Sequence, residues 1–459
     1  MTRAVSLAVA SLSAFCAVAA VSVAHAQQQF PAVLEGHSML AAATFVAPPK
    51  NAPANLSMSG RYLHADMRRR DQPGSIPGIA FLSDSKAPRP TGMDGPFKGQ
   101  PIQGFSGVKW RKDGTAWVPS DNGFGTKANS PDAMLSFHHL KPDWKTGQVK
   151  IMRTVFLHDA DGKVPFNIVN SASKSRYLTG ADFDIESLQI IGEEFWFGDE
   201  FGPYLIRADR NGKVLGVFET MVDGQPVRSP DHFAVSAPAV PAQFNTTVRR
   251  SRGFEGMAAS PDGRFLYPML EGPLWNAEAK GWESREGKET ARILEFDVRK
   301  GAYTGRSWRY QLELAGNNIG DFNMIDADTA LVIERDNGEG VAELACNGPA
   351  RADCFNRPAQ FKRVYKIDMS NPDANGFVRK VGYIDLLNIA DPQNRARIGG
   401  GGGKFAFPQW CIEGVDVVDA NHIVVLNDNN LTVSQSREFG RNEPNEIILL
   451  RVTELLSAR

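Results

Sequence analysis

This sequence contains few histidines and few cysteines, and its net charge is close to zero. Its 459 residues include eight histidines and four cysteines, and 51 basic residues nearly balance 52 acidic ones. A chain so evenly balanced has no global attraction for nucleic acid or an anionic membrane, so we expect no nucleic-acid partner. Because no histidine stands at a repeated position, the sequence also argues against a histidine-ligated zinc site.

Long apolar runs are absent after the first 26 residues. Residues 1–26 carry Arg3, an apolar stretch and the small-residue site Ala24-His25-Ala26, a pattern typical of a cleaved secretory leader. Later segments fall short of the roughly 18 uninterrupted apolar residues of a spanning helix. We therefore expect cleavage after Ala26 and a periplasmic or secreted monomer without a membrane span.

The few cysteines differ in their surroundings. Cys16 lies in the leader, whereas Cys346 and Cys354 bracket the short loop CNGPARADC. In an oxidising compartment this spacing predicts a disulfide. Cys411 is left over, and we interpret it as a buried thiol in apolar surroundings.

What the sequence does contain is a repeated pattern of short strands around polar turns. Its 43 glycines and 28 prolines suit a turn-rich β protein. In each copy an apolar strand meets a polar turn and a second strand returns, and a further strand pair follows most copies. The copies are FSGVKWRKDGTAWVPSDN (105–122), IESLQIIGEEFWFGDE (185–200), GFEGMAASPDGRFLYPMLEGPL (253–274), FNMIDADTALVIERDN (322–337) and IEGVDVVDANHIVVLNDN (412–429).

Repeated four-stranded antiparallel modules predict an all-β fold, a β-propeller with five visible repeats and room for a sixth blade. A β-sandwich is the second interpretation. We assign residues 101–455 to the propeller and residues 27–100 to a segment that supplies the closing strand or a degenerate blade. The stretch RYLHADM, residues 61–67, is our candidate for the closing strand.

Acidic residues recur where the first strand of a repeat begins and the second ends. These two places share one end of an antiparallel hairpin, so the acids converge on one mouth of the ring. Ser106, Asn323 and Asp336 hold the corresponding positions where the pattern departs from paired acids. The predicted metal ligands are Asp121, Glu186, Asp199, Glu200, Glu255, Glu271, Glu413 and Asp428.

Converging carboxylates raise one another's pKa unless a cation balances them. Oxygen ligands without histidine favour Ca²⁺, with Mg²⁺ as the second choice. The alternative is that the acids accept backbone hydrogen bonds and tie neighbouring blades together, with no metal.

Basic residues stand on the loops of the same mouth and are candidates for binding a phosphorylated small-molecule substrate. Arginines suit bidentate recognition of phosphate. The glycine-rich stretch before Lys404 does not have the spacing of a nucleotide-binding loop. The candidate substrate-binding residues are Arg249, Arg250, Arg252, Lys404 and Asn122.

The blocks GFEGMAASPDGRFLYPMLEGPL, DFDIESLQIIGEEFWFGDEFGPYLIRAD and CIEGVDVV resemble the phytase-like family, whose members are described as having esterase-like activity of phytase. The similarity covers roughly residues 100–452. It implies an acid-rich repeat domain that hydrolyses phosphomonoesters or phosphodiesters. The family's acidic motifs fall on Glu186, Asp199, Glu200, Glu255, Glu271 and Glu413.

From these observations we expect a secreted, calcium-dependent phosphoester hydrolase in which Glu255, Glu186 and Asp199 are the catalytic candidates. Two alternatives stay open: a calcium-dependent lactonase of the gluconolactonase type, and a non-catalytic binding propeller whose calcium orders the loops.

Overall fold

The repeats fold into antiparallel sheets of four strands, which we call blades one to five in chain order. The computed structural model describes residues 27–64, 68–236 and 246–459, so the predicted leader lies outside the described residues. The strands are Lys109–Trp110, Ala116–Ser120, Ser136–Asp143 and Gln148–Phe156 in blade one; Ile185–Ile191, Glu194–Asp199, Tyr204–Asp209 and Val214–Glu219 in blade two; Phe254–Ala259, Phe265–Leu270, Lys288–Asp297 and Ala302–Gln311 in blade three; Asn318–Met324, Thr329–Arg335, Lys362–Asp368 and Arg379–Asp385 in blade four; and Cys411–Val417, His422–Asp428, Asn445–Arg451 and Val33–Leu40 in blade five.

The remaining elements are short. Among the described residues, no helix is long and apolar enough to span a membrane. The helical pieces are Ala54–Ser57, Ala342–Leu344 and Thr453–Ser457. The two-residue strands are Gln28–Gln29, Phe45–Val46, Met58–Ser59, Phe97–Lys98, Gln100–Pro101, Met221–Val222, Gln225–Pro226, Trp275–Asn276, Gly281–Trp282, Ser284–Arg285, Ile389–Ala390, Gly400–Gly401 and Lys404–Phe405.

Blade five takes its outermost strand from the start of the described chain. Val33–Leu40 pairs antiparallel with Asn445–Arg451, with Leu34 opposite Leu450 and Leu40 opposite Asn445. Our candidate, residues 61–67, was wrong: residues 61–64 form turns, and residues 65–67 lie outside the described residues. Leu34 and Leu40 are buried in the cores on either side of blade five, which explains why this segment is the one that docks. The described part of residues 27–100 forms no further four-stranded sheet.

Each pair of neighbouring blades shares an apolar core, and these cores close into a cycle. Side chains alternate along a strand, so consecutive residues enter different cores. In blade five, Ile423 and Val425 pack with blade four, whereas Val424 and Leu426 pack with Phe105 of blade one. The interfaces between blades one and two, two and three, and three and four hold their own clusters. This closed cycle confirms the predicted all-β propeller.

The predicted disulfide is present. Cys346 and Cys354 are bonded, with their Cα atoms 4.9 Å apart. The loop that they close packs on an earlier segment of the chain, because the carbonyl of Cys354 accepts a hydrogen bond from the Arg89 guanidinium at 3.0 Å. The bridge therefore closes a loop of blade four, and Arg89 connects that loop to the earlier segment.

A buried carboxylate ties blade five together. Glu446, on the third strand, accepts hydrogen bonds from Arg437 at 2.8 Å and from Gln409 at 2.6 Å, and lies 3.0 Å from His37 of the outermost strand. Burial by itself would raise the pKa of Glu446, but the charges of Arg437 and His37 and their hydrogen bonds lower it to about 2. The folded protein therefore stabilises the ionised form.

We predict that Glu446→Gln lowers the free energy of unfolding at neutral pH by about 3 kcal/mol, because it leaves Arg437 buried without its partner. Since the folded pKa lies below the unfolded value of 4.5, this stabilisation is complete above about pH 5 and is lost as the pH falls from there towards the folded pKa. Urea titrations of both proteins between pH 2 and 8 measure the difference. A difference independent of pH would contradict the assignment.

Candidate active site

A β-bulge at the start of an inner strand places a glutamate on the propeller axis in three blades. In blade two, Ile185 pairs with Asp199 and Ser187 with Gly198, which leaves Glu186 without a partner. The same break in register isolates Glu255 in blade three and Glu413 in blade five. Bulges re-aim the side chain of the extra residue, and all three glutamates line one cavity.

The second strands supply another ring of side chains. In blades two to five, the second strand pairs with the residue that precedes the bulge, and the next residue along the second strand lines the same cavity. In blade one, Ser120 bridges to Phe105 and the next residue lines the cavity, whose volume is about 190 Å³. In chain order these residues are Asp121, Glu200, Glu271, Arg335 and Asp428. Four blades therefore present an acid at this position and one presents a cation.

Blade four departs from the acidic pattern at both positions. Its bulged residue is Gly320, where an added Cβ would lie 2.0 Å from the carbonyl oxygen of Ile412 on the next blade. Its second-strand residue is Arg335, which is 4% exposed and donates to Glu413 at 2.5 Å. Blade four thus contributes a guanidinium group where the other blades contribute acids.

Our sequence alignment of blade four was out of register. Asn323 lies further along the inner strand, where it bonds Gln189 at 2.7 Å and the Val415 carbonyl at 2.8 Å. Asp336 accepts backbone hydrogen bonds from Gln360 and Phe361 at 2.8 and 3.1 Å. Neither residue lines the cavity, because the inner-strand position belongs to Gly320 and the second-strand position to Arg335.

Carboxylates crowd the cavity. Seven of the eight acids are buried and Asp121 is half-buried. Glutamates and aspartates of the cavity form three overlapping groups of three residues. Within each group, the ligand oxygen atoms lie within 4.8 Å of one another. The groups are Asp184, Glu186 and Glu200; Glu186, Glu255 and Glu413; and Glu200, Glu255 and Glu271. The acids of the cavity are Asp121, Asp184, Glu186, Glu200, Glu255, Glu271, Glu413 and Asp428.

Two arginines balance only part of this charge. Arg252 pairs with Glu271, and Arg335 pairs with Glu413. Burial, followed by the charges of neighbouring carboxylates, raises the pKa of Glu186 and Glu255 well above the ordinary value. The cavity therefore favours either protonated acids or additional bound cations.

Asp199 is not part of this cavity. One of its oxygens accepts the backbone N–H of Asp184 at 2.8 Å, and the other accepts that of Gly202 at 2.6 Å. Both oxygens thus fix the loops that carry Asp184 and Glu200. Asn122 lines the cavity and donates to Asp184 at 2.6 Å, so it orients an acid.

The other predicted basic residues also lie outside the cavity. Arg249 pairs with Glu289 at 2.8 Å and covers the Trp282 ring, with 4.4 Å between the guanidinium carbon and the ring centroid. Arg250 is 61% exposed and pairs with Asp231. Lys404 is exposed on the strand Lys404–Phe405. Of the arginine cluster, only Arg252 lines the cavity.

Sequence reasoning missed Asp184, Asn318 and Cys411, which also line the cavity. Each stands two residues before a bulged residue, so an alignment of the repeats on the bulge would have found them. Cys411 is a buried free thiol, as expected, but it borders acids of the cavity. Its sulfur forms a further three-residue group with Glu413 and Asp428, with ligand atoms within 4.8 Å.

The family model described as "Phytase-like: Esterase-like activity of phytase" matches residues 100–431. The chain belongs to the phytase-like family. The match includes the inner strand and the second strand of every blade, and therefore all eight acids of the cavity.

Similarity to individual proteins is weaker. The phytase-like chain is 29% identical over 247 residues to an uncharacterized secreted protein of Arthroderma benhamiae, a match that covers 42% of this chain and 47% of that relative. An aldose sugar dehydrogenase of Streptomyces coelicolor shares 12% identity at a TM-score of 0.33, covering 76% of this chain and 94% of the other. A periplasmic gluconolactonase of Pseudomonas aeruginosa shares 11% identity at a TM-score of 0.30, covering 82% and 98%.

We predict opposite stability effects for two conservative changes in the metal-free protein. Glu255→Gln should raise the free energy of unfolding at neutral pH by on the order of 1 kcal/mol, because burial and neighbouring carboxylates raise the folded pKa of Glu255, a penalty that a neutral amide does not carry. Asp199→Asn should lower it by about 1–3 kcal/mol, because an amide cannot accept both backbone hydrogen bonds. Denaturant titrations in excess chelator measure both changes, and effects of equal sign would contradict this division of roles.

Proposed function

We propose that this phytase-like protein is a calcium-dependent hydrolase of phosphomonoesters or phosphodiesters. The observation that supports it best is the composition of the cavity, in which eight carboxylates surround two arginines. Carboxylates suit a divalent cation, and arginines suit a phosphoryl group. The family description, esterase-like activity of phytase, agrees with this chemistry.

The donor set fits a hard cation. Ca²⁺ takes six to eight oxygen ligands, more than Mg²⁺ needs, and it tolerates irregular geometry. Glu186, Glu200 and Glu255 each belong to two of the overlapping acidic groups, so each is a candidate ligand in more than one combination. When bound, such ions neutralise phosphate oxygens and lower the pKa of an attacking water.

The chain's own residues then have separate tasks. Glu186 and Glu255 would hold the cation and the reacting water on the axis, and Glu200, Glu271, Glu413, Asp184, Asp121 and Asp428 would complete the ligand set. Arg252 and Arg335 would bind the phosphoryl oxygens with their paired N–H groups. Asp199, one of our catalytic candidates, would act only by positioning Asp184 and Glu200.

The arginines also bear on the two alternatives. An unphosphorylated lactone has no anionic group for two guanidinium groups to bind, so Arg252 and Arg335 favour a phosphoester over such a lactone as substrate. A non-catalytic binding propeller would bind calcium without turnover. The disulfide, together with the secreted fungal relative, supports export of this protein.

We predict that Glu255→Gln weakens calcium binding by at least about tenfold, because it removes a charge shared by two ligand groups. Isothermal titration of chelator-treated protein measures the affinity. Glu193→Gln is the matched control, because Glu193 is 85% exposed at a turn. If wild-type protein binds no calcium, or if both variants bind it equally, the metal assignment fails.

We predict that Arg252→Ala raises the KM for a phosphoester by about tenfold or more, which corresponds to the loss of a charge-assisted hydrogen bond. Arg250→Ala removes the same group from an exposed position outside the cavity and should leave KM unchanged. Initial rates with both variants at saturating calcium test this. Turnover of lactones but not phosphoesters by the wild type would favour the lactonase instead.

A further inference from the structure

An exposed aromatic ring lies beside the acidic cavity. Phe81 is 68% exposed, and its ring stacks on that of Trp410, with centroids 5.1 Å apart and planes within 3° of parallel. Trp410 lines the cavity. The indole therefore covers one face of Phe81, while most of the phenyl ring remains open to solvent.

The loop that carries Phe81 is firmly anchored. The backbone N–H of Phe81 donates to the Val433 carbonyl at 2.8 Å, and that of Ala80 donates to the Arg89 carbonyl at 2.8 Å. Arg89 is 1% exposed and forms a buried ion pair with Glu339. An exposed phenyl ring held in this way loses little conformational freedom when it contacts a ligand.

The cavity connects this aromatic pair to the proposed phosphate site. Trp410 directly precedes Cys411, which stands two residues before Glu413, the carboxylate that pairs with Arg335. The Nε1 atom of Trp410 is buried and has no hydrogen-bond partner among the described residues. Trp410 and Arg335 line the same cavity, so the organic substituent of a phosphoester bound there would share that cavity with the indole on which Phe81 stacks.

We propose that Trp410 and Phe81 form a stacking surface that selects phosphoesters whose organic group is a planar aromatic ring. Ring stacking contributes a modest preference that depends on the flat face of the ligand, whereas the phosphoryl group is bound by the arginines. This inference depends on the proposed phosphoester function.

The test compares phenyl phosphate with glycerol 2-phosphate, which share the phosphoryl group and differ in the organic group. Phe81→Ala should raise the KM for phenyl phosphate by about 3- to 10-fold and leave that for glycerol 2-phosphate unchanged. The control is Phe233→Ala, because Phe233 is another exposed ring, 50% exposed, and does not line the acidic cavity. Equal changes for the two esters, or no change for either, would overturn the stacking surface.

A binding experiment separates this inference from the proposed function. Phenylphosphonate and methylphosphonate have no ester bond and are therefore not hydrolysed. Calorimetry in the presence of calcium measures their affinities whether or not the protein is a hydrolase. If Phe81→Ala weakens the binding of phenylphosphonate but not that of methylphosphonate, the stacking surface is supported. Failure of the wild type to hydrolyse either ester would reject only the proposed function. Equal affinity of the wild type for the two phosphonates, or no binding of either, would reject the stacking surface.

Discussion

Repulsion between carboxylates on the propeller axis is the constraint on which the rest of this structure depends. Eight acids share a cavity of about 190 Å³ with only two arginines. Buried like charges separate unless the surrounding structure holds them in place. Here five apolar cores, one at each blade interface, provide that restraint. A fully buried large apolar side chain contributes about 1.5–3 kcal/mol, and each core contains many of them.

Closure of the ring is therefore a requirement of the site as well as of the fold. Glu413 belongs to the last blade, and its carbonyl accepts the backbone N–H of Gly107 from the first blade. Val33–Leu40 completes that last blade, and Glu446 connects the strand to two loops. Loss of this N-terminal strand would open the interface at which Ser106 reaches Glu413.

Blade four breaks the repeat and supplies one of the two arginines of the site. Glycine at position 320 removes a side chain from the axis, and Arg335 replaces the acid of the second strand. The cavity thus contains guanidinium groups among its carboxylates. In our proposal, a cation binds the carboxylates and a phosphoester binds the guanidinium groups, and the aromatic pair of Phe81 and Trp410 borders the same cavity.

The sequence by itself determined the strands, their grouping into repeats and the convergence of acids at one mouth, because alternation of side chains and turn residues act over a few positions. It also indicated the disulfide, whose cysteines are close along the chain. Tertiary structure decided which residue of a neighbouring pair enters the cavity: Glu200 rather than Asp199, and Arg335 rather than Asp336. A bulge shifts the register by one residue and so reverses the side to which each neighbour points. Tertiary structure also decided that Val33–Leu40 closes the ring and that Arg249 and Arg250 lie outside it, since their partners are distant in the chain and leave no local pattern.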